Sequence, residues 1–212
     1  MQFIHMAINF KPMKKSELRH YLAAYRSLFE GWEERGVCFF RVSGPFLQQV
    51  WFEALRSGAY RPVMDLSLLI APGGSVIHQF LGIKNREVLP RDHDRRYMGV
   101  CNAIVEEFRP EVTMLLDESE AVQLFVAKSV RRILDASSLA ALYAYLGDSS
   151  KAREMIQEVR QLASSKVELF DWEHDRVSET ELLAAEIETG NQASYLAMIR
   201  ENELARFLGS PA

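Results

Sequence analysis

Between Val37 and Leu81 the apolar residues come in short runs, Val37–Val42, Phe46–Ala54, Val63–Ala71 and Val76–Leu81, split by Ser43, Gly44 and Pro45, by Ser57 and Gly58, and by Pro72, Gly73 and Gly74. Runs of this length bounded by turn residues read as strands. The links between them are too short for the crossover that a parallel pair requires, so sequential strands pair antiparallel in a meander. In the second run Phe46, Gln48, Val50 and Phe52 share one parity, and Leu47, Gln49, Trp51 and Glu53 the other. Both faces of the sheet therefore carry apolar side chains, and the helices must cover them.

Helical spacing surrounds this block. Ser16 caps a helix through Leu18, Leu22, Tyr25, Leu28, Phe29 and Trp32, with Gly36 as its stop. The segment Met1–Met13 reads as a further strand. After the sheet, Lys84–Arg96 is a charged connection, followed by a helix over Tyr97–Phe108 closed by Pro110 and another over Ser119–Leu134. Leu139–Leu146, the Gly147 turn and Ala152, Ile156 and Val159 make a helical hairpin that resembles one tetratricopeptide unit over Ser138–Ala163. No second copy appears at the period of about 34 residues. Ser178 and Glu181 have capping-box spacing for a helix through Ile187, which Gly190 ends. In the last helix, Ala193–Leu208, the residues Tyr195, Met198, Ile199, Leu204, Phe207 and Leu208 form the inner stripe. The expected fold is α+β: an N-terminal helix and an antiparallel sheet of about four strands, followed by a C-terminal helical region. Residues 1–96 and 97–212 are the two parts, jointed at the charged connection or fused into one continuous domain.

With 212 residues, 48% of them hydrophobic, the chain can bury a core without disulfides. Its two cysteines, Cys38 and Cys101, have no C-x-x-C spacing and read as reduced, buried thiols. Met1–Met13 is broken by His5, Asn9 and Lys11 and lacks the apolar region of a secretory leader, and no apolar stretch is long enough to span a bilayer. These features point to a cytoplasmic protein with no membrane partner.

Motifs for catalysis are sparse. His93 lies between Asp92 and Asp94, and a carboxylate can orient an imidazole for proton transfer or metal ligation. Yet neighbours on an extended chain point apart, and Arg91, Arg95 and Arg96 offer the acids ordinary ion pairs. His5, His20, His78 and His174 show no metal-ligand spacing. The turn Pro72–Ser75 lacks the Lys and Ser/Thr of a phosphate loop, and no G-x-S-x-G elbow occurs. The reading is accordingly no catalytic set, no cofactor and no metal. Arg41, Arg56, Arg61, Arg91, Arg95 and Arg96, with Trp51, Tyr60 and Tyr97, are the residue types of a nucleic-acid surface, but they are scattered and the pI is about 5.8, so no nucleic-acid partner is expected.

Charge is concentrated instead in one place. Glu168–Glu188 holds eight acids and a single arginine, in a chain whose net charge is −4. Within it Glu168, Phe170, Asp171, Trp172, Glu173 and Asp175 interleave carboxylates with large rings, the composition of an apolar anchor inside a steering field for a basic partner. The competing reading sends Phe170 and Trp172 into the core and leaves the acids to solvate a loop and a helix start.

The order helix, sheet, helical tail, with the stretch Arg41–Phe52 (RVSGPFLQQVWF) and then Gly58–Val63 (GAYRPV), resembles small bacterial proteins encoded beside polymorphic or type VI secreted toxins, over residues 16–130. The resemblance implies a non-enzymatic immunity protein, an antitoxin that binds a cognate toxin or effector protein and blocks its active surface. Two other classes remain open: an enzyme built on Asp92, His93 and Asp94, and a helical-hairpin adaptor.

Overall fold

The computed structural model describes residues 14–56, 58–71, 76–80, 118–128 and 132–209. Five strands, β1 (Glu33–Arg35), β2 (Cys38–Ser43), β3 (Phe46–Ala54), β4 (Tyr60–Leu68) and β5 (Val76–Phe80), form one sheet in sequence order, every neighbouring pair antiparallel. The expected meander is present with one strand more than the hydrophobic runs announce, and its third run is the strand Tyr60–Leu68 rather than Val63–Ala71, because Tyr60, Arg61 and Pro62 pair with Ala54, Glu53 and Phe52. β1 is short and polar, so its sequence carries no strand signal. β2 turns into β3 through the two-residue link Gly44 and Pro45, with Gly44 at φ +53°. A side chain at Gly44 would run into the Glu118 carboxylate, so the glycine also lets the next helix approach.

The first helix is shorter than its apolar spacing predicts. α1 covers Lys15–Leu22, and Ala23–Leu28 tightens into a 3-10 helix. Beyond Leu22 the buried Tyr25 and the partly buried Leu28 follow at intervals of three, which suits three residues per turn. Gly31, at φ +80°, then reverses the chain so that Glu33 faces Phe40 in the sheet. Ser16 lies inside α1 rather than at its cap: the backbone N–H of Lys14 donates to the Glu17 carboxylate at 2.8 Å.

Five further helices follow among the described residues: α2 (Glu118–Lys128), α3 (Ile133–Tyr145), α4 (Ser149–Ser164), α5 (Asp171–Thr189) and α6 (Gln192–Gly209). The single helix expected over Ser119–Leu134 does not form, because the extended backbone at Arg132 starts a new helix at Ile133. The hairpin α3–α4 turns at Gly147 as its pattern requires. A second hairpin, α5–α6, stacks on it and turns at Gly190; both glycines have φ +78°. Its helices are longer and its leading loop extends the repeat beyond about 34 residues, which conceals it from a period search. Ser178 does not cap α5, which begins seven residues earlier at Asp171.

Both sheet faces are covered. Leu18, Leu22, Tyr25 and Phe29 pack on Val50, Phe52, Tyr60 and Met64, and Tyr60 donates its hydroxyl to that of Tyr25 at 2.8 Å. Farther along the same face Phe46, Leu66 and Leu68 meet Phe125 of α2 and, through Ile70 and Ala71, the bundle residues Leu142, Leu183 and Leu196. Sheet and helices thus share one core across the two parts read from the sequence. On the opposite face the end of α6 returns to the sheet: Phe207 packs on Phe40, and Arg35 stacks on the Phe207 ring and donates to its carbonyl. In α6 the buried residues are Leu196 and Ile199, whereas Met198 and Leu208 stand exposed.

Candidate functional site

The inner stripe of α5 explains where the acidic segment points. Leu169, Glu173, Arg176, Val177, Thr180, Leu183 and Ile187 recur at helical spacing and turn toward α3 and α4. Three of them are polar, so hydrophobicity alone misses the stripe. Thr180 donates to the Arg176 carbonyl at 2.7 Å, and Arg176 donates to the Glu179 carboxylate at 3.0 Å. Leu169, not Phe170 or Trp172, is the plug: it packs against the cluster of Ile133, Ala136 and Val159.

The consequence is an exposed apolar segment. Phe170 is 68% exposed, Trp172 48%, and Val167, in the loop before them, 107%. Neither ring enters the core. Glu168, Asp171 and Asp175 are exposed beside them. Single exposed apolar residues are ordinary, but three large ones within six positions make a patch of the kind that docks.

Glu173 has a different place from its neighbours. It is 2% exposed, accepts the Phe170 backbone N–H at 3.2 Å and pairs with the Lys166 ammonium. The hydrogen bond from Lys166 holds its carboxyl below the usual glutamate range. It shapes the start of α5 and offers no carboxylate to a partner. Three more acids are tied down as well: Glu179 to Arg176, Glu181 to Arg160 and Glu188 to Arg153. Glu168, Asp171, Asp175 and Glu186 have no ion pair among the described residues. Three of these four acids lie at the α4–α5 end, around Phe170 and Trp172, and Glu186 stands alone in the last turn of α5, so the unpaired charge is concentrated at the start of the helix.

Among the described residues, the remaining chemistry-bearing side chains are spread over the sheet and serve structural contacts. Burial first, then the Asp65 charge, pushes the Cys38 thiol up to about 12, so it stays protonated and is no nucleophile at neutral pH. Asp65 accepts the Trp51 indole N–H at 2.7 Å and lies opposite His78 in the β4–β5 register, a relation that only the pairing reveals. Arg41 donates to Gln48 at 2.6 Å and covers the Trp32 ring, and Arg61 pairs with Glu53, so these arginines hold the sheet together. Among the described residues no three His, Cys, Asp or Glu side chains could hold a metal ion, and no helix is long and apolar enough to cross a membrane. Asp92, His93, Asp94 and Cys101 lie outside the described residues, as do Met1–Met13 and the helix expected over Tyr97–Phe108.

No family model matches the chain, and neither a curated protein nor a solved structure does.

Proposed function

We propose that this is a non-enzymatic binding protein of the immunity type, which neutralises a cognate toxin or effector protein by docking the segment 167–175 onto a basic surface. The exposure of Phe170 and Trp172 carries the reading: two rings left in water beside three unpaired acids have the composition of an interface centre with a charged surround. Val167, Phe170 and Trp172 supply the buried area on binding, while Glu168, Asp171 and Asp175 steer the encounter. The immunity role itself rests on the resemblance over residues 16–130.

The test is to express any toxin domain found encoded beside this gene and titrate it with the purified protein at low and moderate salt. A one-to-one complex that inhibits the toxin is expected. F170A and W172A should each weaken it by about tenfold or more, mainly through faster dissociation. D171N with D175N should slow association and flatten the salt dependence. A complex indifferent to all four substitutions would remove this surface from the interface.

A second reading, a helical-hairpin adaptor, draws on the stacking of α5–α6 upon α3–α4. It differs in the surface used: an adaptor would hold a peptide between its helices and tolerate F170A and W172A.

A further inference from the structure

The outer face of the α5–α6 hairpin carries a second pair of exposed apolar side chains. Leu182 is 57% exposed and Met198 50%. One precedes Gly190 by as many residues as the other follows it, so the antiparallel turn brings them to the same level on neighbouring helices. Beneath them Leu183 and Leu196 share one buried cluster with α3, which closes the hairpin on its inner side. On α5, Asp171, Asp175, Ser178 and Leu182 follow at helical spacing along one stripe, and all four are exposed. On α6 the stripe with the same spacing is Ser194, Met198, Glu201 and Ala205, exposed throughout.

The charge on this face has one sign. Asp171, Asp175 and Glu201 have no ion pair among the described residues, and neither stripe holds a lysine or arginine. Arg206, near the end of α6, is held by Glu203 at 3.8 Å. On the other side of α5 the acids Glu181 and Glu188 are neutralised by arginines of α4. A negative face repels nucleic acid, an anionic bilayer and a second copy of itself, so a cationic polypeptide is the occupant that its charge fits. Along the middle of both helices the backbone hydrogen bonds are made internally, which leaves recognition to side chains. Trp172 and Leu182 lie about 15 Å apart along the α5 axis, nearly three helical turns.

We infer that the element of the partner that meets this protein is a basic amphipathic helix of about three turns or more, laid along the outer groove between α5 and α6. Its apolar residues cover Trp172, Leu182 and Met198, and its lysines or arginines face Asp171, Asp175 and Glu201. The inference rests on the proposed docking of segment 167–175 and carries that contact down the hairpin.

Its test is calorimetric titration of the intact protein with an amidated peptide of about 18 leucines and lysines, the leucines recurring every third or fourth residue. A peptide of the same composition, shuffled out of that spacing, is the control. Saturable one-to-one binding of the amphipathic peptide is expected, with the control weaker by about tenfold or more. L182A with M198A alters only exposed positions, in favour of a good helix former, and should weaken the amphipathic peptide by about tenfold or more. D171N, D175N and E201Q together should remove most of the salt dependence. No saturable binding up to about 1 mM, or equal binding of the shuffled control, would overturn the inference and leave the docking reading to the toxin titration. Full affinity in L182A with M198A, together with a loss in F170A with W172A, would also overturn it, by confining the contact to segment 167–175 while the docking reading stands.

Discussion

Arg160 and Glu181 are joined across α4 and α5 by two hydrogen bonds, 2.7 Å from Nε to Oε1 and 2.6 Å from Nη2 to Oε2. Arg153 repeats the link to Glu188 at 3.0 Å, about two turns along the seam. Paired charges of opposite sign present little net field to solvent, so acids adjacent in sequence differ in what they offer a partner. Those on the α4 side of α5 fasten the hairpins together. Asp171 and Asp175, near its start, are exposed and act at a distance.

This division makes a prediction about charge neutralisation. D175N and E181Q each remove one negative charge from the same helix. D175N should slow association with a basic partner and reduce its salt dependence, whereas E181Q should leave both nearly unchanged and cost up to about 1 kcal/mol of stability as an exposed pair. Stopped-flow association at two ionic strengths separates them. Equal effects of the two substitutions would mean that the total charge, not its placement, governs the encounter.

Glu173 predicts an acid sensitivity localised to the start of α5. Its folded-state carboxyl is held below the ordinary glutamate value of 4.5, chiefly by the hydrogen bond from Lys166. A depressed pKa contributes stability above the unfolded value, and that contribution is lost as pH falls through the folded value. E173Q keeps an acceptor for the Phe170 N–H and removes the charge. Its melting temperature should fall below that of the unaltered protein at pH 7, and the gap should close as the pH drops through and below about 4.5. A gap that stays constant down to pH 3 would assign the loss to packing rather than to the ion pair.

Cys38 predicts inertness. With its pKa pushed up to about 12 by burial, the thiolate fraction at pH 8 is negligible in the folded state. Alkylation followed by peptide mass spectrometry should find Cys38 unmodified under native conditions and fully labelled in denaturant. Rapid native labelling would show that β2 opens readily.

How far the sequence foretells this molecule depends on which residues carry the signal. The β2–β3–β4 meander was legible because alternation and turn residues act locally, and the Gly147 hairpin because an apolar helix is followed, after a glycine, by one that buries a single face through Ala152, Ile156 and Val159. β1 was not, since Glu33, Glu34 and Arg35 become a strand only by pairing with Cys38, Phe39 and Phe40. The start of α5 was misplaced because the S-x-x-E spacing at Ser178 also arises within helices, while the true start uses Glu173 without a serine partner. In the acidic segment, the residue types were legible but their fates were not. Leu169 goes inward and Phe170 outward in the extended link before α5, where successive side chains point to opposite sides and tertiary packing decides which one is covered.

Phe125 predicts whether the sheet and the bundle unfold as one. It is 1% exposed and lies 5.8 Å, ring to ring, from Phe46 of β3 at a 48° tilt, within the cluster that also holds Leu66, Leu142 and Leu183. Truncating such a residue to alanine removes its transfer free energy and leaves a cavity, typically about 3–5 kcal/mol in all. Because the cluster spans both parts of the chain, F125A should lower the stability of the sheet and the helices together. In a W172F background, which leaves Trp32 and Trp51 as the fluorophores, the transition followed by far-ultraviolet circular dichroism, dominated by the helices, should coincide with that followed by tryptophan fluorescence on the sheet side. F125L, which retains most of the volume, should recover much of the loss. If F125A instead splits the denaturation curve, with the helical signal persisting after the tryptophan signal has gone, the two parts fold as separate units and Phe125 belongs to only one of them.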